Sequence, residues 1–157
     1  MHVPVLLQET IEWLKPKAGG TYVDCTVNRA GHSKEIAKII GSKGTLIIFD
    51  LDSQALSEAK ETLESLPDAP KVIAVNANFR TLAGVLATHH IDTIDGLIAD
   101  LGLSSQELDS AGRGFTFRFD EPLLMTFADT VDDSTVTAKD IVNDWKEESI
   151  ADIIYGF

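Results

Sequence analysis

The chain has 157 residues, of which 44% are hydrophobic and 24% are charged, and its formal net charge at pH 7 is −12. This length and composition are typical of a soluble globular domain, and the short apolar runs exclude a membrane-spanning helix. The single cysteine excludes an internal disulfide and a multi-cysteine metal site, and it favours a reducing, cytoplasmic location. No basic region followed by an apolar stretch marks the N-terminus, so we expect no signal peptide.

The negative charge is concentrated in the last quarter of the chain. Residues 1–118 contain 15 acidic and 11 basic residues, whereas residues 119–157 contain 10 acidic and 2 basic residues. Proteins that bind nucleic acid usually carry a positive surface. Bulk positive charge is therefore excluded as the means by which this chain would hold RNA.

The first hundred residues alternate between helical and strand patterns. Apolar residues recur at helical spacing over 8–14, and β-branched and aromatic residues then predict a strand at 22–26. The remaining predicted strands are 45–50, 72–75 and 94–99, and the helices that separate the four strands are 33–40, 52–66 and 81–89. Four strands that alternate with helices predict an α/β fold with a parallel sheet and right-handed crossovers.

Polar residues follow the four predicted strands, namely Asp24, Asp50, Asn78–Phe79 and Asp100. Ligands of such folds bind beyond the carboxyl ends of the strands, where a helix N-terminus offers free backbone N–H groups. A carboxylate at Asp50 could accept hydrogen bonds from a ribose diol. The stretch 21–33 alone fits an ordinary strand–helix turn equally well, because it lacks the G-x-G-x-x-G pattern. The convergence of four strand ends favours a site for a nucleoside-containing cofactor.

The pattern changes after Asp100. Residues 106–111 could form one helical turn, a capping-box pattern at Thr137 predicts a helix, and 147–154 predicts another. The segment 113–119, between this helical turn and the helix at Thr137, contains three phenylalanines and two arginines. This segment fits either a short strand that packs on the core or a surface that stacks on nucleic-acid bases, and the sequence leaves both possibilities open.

Several short strings resemble one known family. They are His2-Val3-Pro4-Val5-Leu6-Leu7, Tyr22-Val23-Asp24, Gly31-His32-Ser33, Asp100-Leu101-Gly102-Leu103-Ser104-Ser105 and Arg113-Gly114-Phe115-Thr116-Phe117. In this order they resemble the MraW family of ribosomal RNA small-subunit methyltransferases. The resemblance implies a Rossmann-like class I methyltransferase fold that is interrupted by a mostly helical insertion. It also implies transfer of a methyl group from S-adenosylmethionine to N4 of a cytidine in 16S rRNA.

Family members continue well past Tyr155-Gly156, so the resemblance implies that this chain holds only the N-terminal portion. We expect an S-adenosylmethionine-binding Rossmann-like half-domain at 1–105 and the start of a helical substrate-recognition insertion at 106–157. The implied partner is 16S rRNA in the small ribosomal subunit, within the cytoplasm. The alternative is a non-catalytic truncated methyltransferase fold that binds cofactor weakly or acts as an interaction module.

The resemblance also implies the site residues. Those expected at the cofactor are Ala30, Gly31, His32, Asp50, Phe79, Asp100, Gln106 and Glu107. The first three would lie along the methionine end, Asp50 would bind the ribose hydroxyls and Phe79 would pack by the adenine. The chain departs from the family where Glu107 replaces a glutamine, where Asn28 and Ala30 replace glycines, and where Leu124 and Thr126 replace charged residues.

Asp100 is the candidate catalytic residue. The lone pair of an exocyclic cytosine amine is delocalised into the ring, and a carboxylate that accepts its N–H bond can localise that pair. The competing interpretation is that Asp100 accepts hydrogen bonds from loop N–H groups. For His32, which begins a helix, capping or packing is expected rather than proton transfer.

The fourth strand lacks the usual protection of a sheet edge. In the class I order it would lie beside the first strand, and neither lysine nor proline guards the run 94–99. We therefore expect a homodimer, or a larger self-association, through this edge or the helices beside it. The alternative is that residues 106–157 cover the edge and keep the chain monomeric.

Overall fold

The computed structural model describes residues 4–103, 108, 112–132 and 135–156. The chain divides into two compact units, Met1–Leu101 and Gly102–Phe157. The predicted domain boundary after residue 105 falls outside the described residues, so it stays a prediction. No helix within the described ranges has the length and apolar character needed to cross a membrane.

The first unit contains a four-stranded parallel sheet in the order β3-β2-β1-β4. In chain order its elements are α1 (Leu7–Leu14), β1 (Thr21–Asp24), α2 (Gly31–Ile40), β2 (Thr45–Asp50), α3 (Ser53–Glu64), β3 (Lys71–Asn76), a 3₁₀ turn (Phe79–Thr81), α4 (Leu82–Thr88) and β4 (Gly96–Ile98). This arrangement confirms the predicted α/β class and the alternation of strands and helices. Because all pairs are parallel, the four carboxyl ends lie along one edge of the sheet.

Apolar residues fill both faces of this sheet, as its parallel arrangement requires. On one face Tyr22 and Ile48 pack with Ile36 of α2 and with residues of α3. On the other face Val23 and Phe49 lie against the partly buried apolar residues of α4. Neighbouring residues along a strand point to opposite faces, so β1 and β2 contribute to both clusters. The sheet is thereby fixed between two helical layers.

Two strands are shorter than predicted, and side chains accept backbone N–H groups at their ends. The first strand ends at Asp24 rather than at residue 26, because the carboxylate of Asp24 accepts the Thr26 N–H at 3.0 Å and turns the chain. The fourth strand spans only Gly96–Ile98 instead of 94–99. The Asp95 carboxylate accepts the Thr21 N–H at 2.8 Å before it, and the Thr26 hydroxyl accepts the Asp100 N–H at 2.8 Å after it.

Within its described residues, the second unit contains α5 (Ala138–Asp144) and α6 (Glu147–Gly156), which follow a long loop over 112–132. The predicted capping box at Thr137 is confirmed, since its hydroxyl accepts the Asp140 N–H and Asp140 accepts the Thr137 N–H. The hydrogen bonds from Thr137 hold the pKa of the Asp140 carboxyl below its ordinary value.

The phenylalanine-rich segment of this unit does not form a strand. Phe115 packs on Phe127 with ring centroids 5.8 Å apart, while Phe117 is fully exposed. The Arg113 guanidinium donates to the Phe127 carbonyl, and the Gly114 N–H donates to Glu121 Oε2 at 2.9 Å. The segment is therefore a turn that these hydrogen bonds and the Phe115–Phe127 contact stabilise, and part of its aromatic surface is exposed to solvent.

Candidate cofactor-binding site

The loop between β1 and α2 extends the sheet hydrogen bonding beyond β1 in two directions. The Cys25 N–H donates to the Ile98 carbonyl of β4, and the Val27 N–H donates to the Phe49 carbonyl of β2, each at 3.0 Å. Alternate residues thus tie the loop to both neighbouring strands. The loop lies at the carboxyl edge of the sheet, which is where α/β folds bind their ligands.

A buried carboxylate, Asp24, holds the two ends of this loop together. Only 2% of Asp24 is exposed, and its oxygens accept the Thr26 N–H at 3.0 Å and the Ser33 hydroxyl at 2.7 Å. Burial raises the pKa of the Asp24 carboxyl, although both hydrogen bonds act in the opposite direction. The end of β1 is therefore fastened to the first turn of α2.

A second carboxylate, Asp50, connects the loop to the end of β2. Its Oδ2 accepts the Asn28 N–H at 2.8 Å, and its Oδ1 accepts the Asp52 N–H at 3.0 Å. Asp50 is half-buried, and each carboxylate oxygen can accept more than one hydrogen bond. The geometry is thus compatible with the predicted contact to ribose hydroxyls, which stays a prediction.

Two loop residues at which the resemblance implies glycine adopt left-handed backbone conformations. Asn28 has φ 43° and Ala30 has φ 58°, a region that glycine occupies without strain. The cost for alanine is about 1–2 kcal/mol. Ala30 is held there because its N–H donates to the Val27 carbonyl at 2.7 Å and its own carbonyl accepts the Lys34 N–H at 2.8 Å. The loop therefore keeps a glycine-type conformation without these glycines.

The first turn of α2 is covered by residues from the N-terminus. A Cβ atom at Gly31 would overlap the ring of Pro4. His32 is 9% exposed, and its Nε2 lies 3.1 Å from the Val5 carbonyl oxygen. A carbonyl only accepts hydrogen bonds, so Nε2 carries the hydrogen. His32 therefore packs and donates to the backbone, as expected for a residue that begins a helix, and the expectation that it takes no part in proton transfer stays a prediction.

Two further side chains border the same edge of the sheet beyond β2 and β3. The Asn76 amide donates to the Asp50 and Leu51 carbonyls at 3.0 and 3.1 Å. Asn78 Oδ1 accepts the Arg80 N–H at 3.0 Å, and this bond begins the 3₁₀ turn in which Phe79 lies. Phe79 is 39% exposed, so its ring offers an apolar surface to a ligand.

Asp100 lies just beyond β4 and is exposed. Its backbone N–H donates to the Thr26 hydroxyl, which belongs to the same loop that Asp24 and Asp50 hold. One backbone hydrogen bond therefore connects Asp100 to the loop after β1. The other two predicted contacts, Gln106 and Glu107, fall outside the described residues.

Four residues that shape the site were missed by the sequence prediction: Pro4, Val5, Thr26 and Ser33. Ser33 and Thr26 are small and polar at a strand–helix turn, which is the residue type that binds neighbouring backbone and carboxylate groups. That signal could have identified them. The approach of Pro4 and Val5 to α2 joins segments about 27 residues apart and leaves no local pattern in the sequence.

The donors and surfaces along this edge fit S-adenosylmethionine. The N-terminus of α2 suits a carboxylate, the Asp50 carboxylate suits a diol, and the exposed Phe79 ring suits an adenine. The fold and the loop together define a Rossmann-like methyltransferase domain that uses S-adenosylmethionine as its cofactor. The chain belongs to the MraW methylase family, whose model matches residues 1–157.

Curated relatives support this assignment. The ribosomal RNA small subunit methyltransferase H of Mycoplasma mycoides is 42% identical over 156 residues, covering 99% of this chain and 49% of that protein. The protein of the same name from Acidobacterium capsulatum is 42% identical over 161 residues, covering 99% of this chain and 52% of that protein. The chain thus spans about half the length of these relatives.

Among solved structures, a SAM-dependent O-methyltransferase from Thermotoga maritima is similar to part of this chain. The alignment covers 64% of this chain and 36% of that protein. The TM-score is 0.48 and the sequence identity is 16%. Similarity at this level adds nothing to the family assignment.

We predict that Asp24→Asn changes the pH dependence of stability. Because the folded-state pKa of Asp24 is raised above 3.8, its contribution to stability is fully present at low pH and is lost as the pH rises through the folded-state pKa. The free energy of unfolding of Asp24→Asn, relative to the wild type, should therefore increase as the pH rises from 3.8 through the folded-state pKa of the Asp24 carboxyl. Urea denaturation across this range measures it.

Ser33→Ala is the matched variant for this prediction, because it removes a hydrogen bond that favours the charged carboxylate. Its stability should fall more steeply than that of the wild type as the pH rises. Parallel pH profiles for all three proteins would contradict the assigned role of Asp24.

Proposed function

We propose that this chain is the cofactor-binding portion of a methyltransferase that acts on N4 of a cytidine in 16S rRNA. The observation that carries the proposal is the loop after β1, which Asp24 and Asp50 hold and which fixes the backbone of Asp100. The names of the relatives support an RNA of the small ribosomal subunit as the substrate. With such a substrate, the protein would act in the cytoplasm.

The chemistry that the residues must support is an in-line displacement. S-adenosylmethionine supplies a methyl group bound to a positively charged sulfur. Asp100 would accept a hydrogen bond from the cytosine amine, localise the nitrogen lone pair and orient it. Asp100 is exposed, as a group that must meet a large substrate has to be.

The aromatic segment of the second unit offers a candidate RNA contact. Phe117 is fully exposed, Phe119 is 59% exposed, and Arg118 lies between them. Exposed aromatic rings can stack on unpaired bases without a large positive field, at about 1–3 kcal/mol per base. Residues 119–157 are strongly acidic, so stacking rather than bulk charge would supply the contact. This supports the second of the two interpretations that the sequence left open.

We predict that Asp50→Ala weakens binding of S-adenosylhomocysteine about 10- to 150-fold, which corresponds to loss of about 1.5–3 kcal/mol. The reason is the loss of a charged acceptor for the ribose hydroxyls. Titration calorimetry measures the affinity. Asp92→Ala is the control, because Asp92 is an exposed acidic residue that precedes β4, away from the carboxyl edge.

Asp50 also accepts the Asn28 and Asp52 N–H groups, so its substitution could weaken binding by disturbing the backbone. The same titration is therefore repeated with an analogue that lacks the ribose hydroxyls. If Asp50 contacts the ribose, the substitution should reduce affinity for this analogue much less than for the parent ligand. Equal losses for both ligands would assign Asp50 to loop structure alone.

We predict weak methyl transfer by this chain. Incubation of small ribosomal subunits with radiolabelled S-adenosylmethionine should give incorporation at least about tenfold below that of a full-length relative, because residues 119–157 repel RNA. Asp100→Asn should lower the rate at least about a further tenfold, by analogy with other acid–base residues. Cofactor binding without any incorporation would favour the alternative, a non-catalytic cofactor-binding module. Unchanged incorporation by Asp100→Asn would contradict the catalytic role.

We also propose that the chain forms a homodimer through the edge of β4. Within the described residues β4 pairs with β1 alone, and Leu97 at its centre is 43% exposed. An exposed strand edge tends to pair with another chain. Light scattering at high micromolar concentration should therefore report a dimer for the wild type and a monomer for Leu97→Lys. A monomeric wild type would contradict this arrangement.

A further inference from the structure

A short N-terminal segment, the strap (Pro4–Leu6), lies over the first turn of α2. The ring of Pro4 occupies the space that a side chain at position 31 would fill, so the backbone of Gly31 and the proline ring are in direct contact. The next residue, Val5, accepts the hydrogen bond from His32. Two consecutive residues of the strap thus contact two consecutive residues of α2.

Hydrophobic burial contributes little to holding the strap in place. The side chains of Val5 and Leu6 are 68% and 63% exposed. The hydrogen bond to the Val5 carbonyl and the contact of Pro4 with Gly31 are therefore the main attachments. A single hydrogen bond of this kind contributes only a modest net free energy, so the strap can detach without disturbing the core.

The other end of the strap is firmly anchored. Leu6 adopts a left-handed conformation with φ 51° and turns the chain into α1. Ile11 and Leu14 of α1 pack against the buried cluster that includes Ile36 and Ile40. The strap therefore has one fixed end at α1 and one weakly attached end at α2, which is the arrangement of a hinged cover.

We propose that the strap closes the methionine end of the cofactor site and slows exchange of the cofactor, with His32 as a positioning residue that holds it closed. This inference rests on the proposed function, because it takes Gly31 and His32 to border the cofactor. The imidazole acts through the Val5 carbonyl rather than on the reacting atoms. A cover slows entry and exit alike, so it changes both rates more than it changes the affinity.

The test is stopped-flow measurement of S-adenosylhomocysteine association and dissociation with the full 157-residue chain. Pro4→Ala removes the ring that contacts Gly31 and leaves His32 intact. Both rate constants should rise about two- to tenfold, the range expected for loss of one weak attachment, while the equilibrium affinity changes less than about twofold. His32→Leu should increase both rates in the same way.

Two variants control for other effects. Val5→Ala changes an exposed side chain and keeps the carbonyl that His32 contacts, so its rates should match those of the wild type. His32→Gln places an amide donor at the same position and should restore much of the slow exchange that His32→Leu loses. Thermal unfolding of each variant excludes loss of fold as the cause.

The outcomes separate this inference from the proposed function. Saturable binding by the wild type, with unchanged rates in Pro4→Ala and His32→Leu, would overturn the strap and leave the proposed function intact. In Pro4→Ala, a slower association, or a faster dissociation matched by an equal loss of affinity, would also overturn it, because a direct ligand contact behaves in that way. Absence of binding by the wild type would overturn both.

Discussion

The structure of the site depends on the buried carboxylate of Asp24. Removing a carboxylate from water is costly, and the hydrogen bonds from the Thr26 N–H and the Ser33 hydroxyl offset part of that cost, although burial still raises the pKa of Asp24. Those two bonds determine where the loop leaves β1 and where α2 begins. Thr26 then accepts the Asp100 N–H. One hydrogen-bonded buried carboxyl group thereby positions the loop, the helix N-terminus and the start of the segment after β4.

Asp50 supports the middle of the same loop, whereas Asp24 binds its two ends. Its contact with the Asn28 N–H connects the loop to β2, and the Asn76 amide connects the end of β3 to the same region. With this support, the loop tolerates Ala30 in a conformation that glycine prefers. Ala30 thus keeps a glycine-type conformation at a local strain of about 1–2 kcal/mol.

Much of this architecture could be predicted from the sequence, because it follows from local patterns. Strand and helix periodicity gave the order of the elements, and polar residues after each strand identified the carboxyl edge of the sheet. The exact ends of β1 and β4 could not be predicted, because they depend on side-chain bonds such as that of Asp95 to Thr21 across the sheet. The contact of the strap with α2 is likewise non-local. The conformation of the phenylalanine-rich segment depends on Phe127 and Glu121, which periodicity does not reveal.

We propose that the loop after β1 and the end of β2 form one cofactor site. A two-dimensional NMR titration of isotope-labelled protein with S-adenosylhomocysteine, following the backbone amides, tests this arrangement. We expect saturable shift changes that are largest at Asn28, at 30–33, at Asp50 and at Phe79, with the N-terminal amides of β1 to β4 little affected. Saturable changes confined to other surfaces, or no change at saturating ligand, would contradict it.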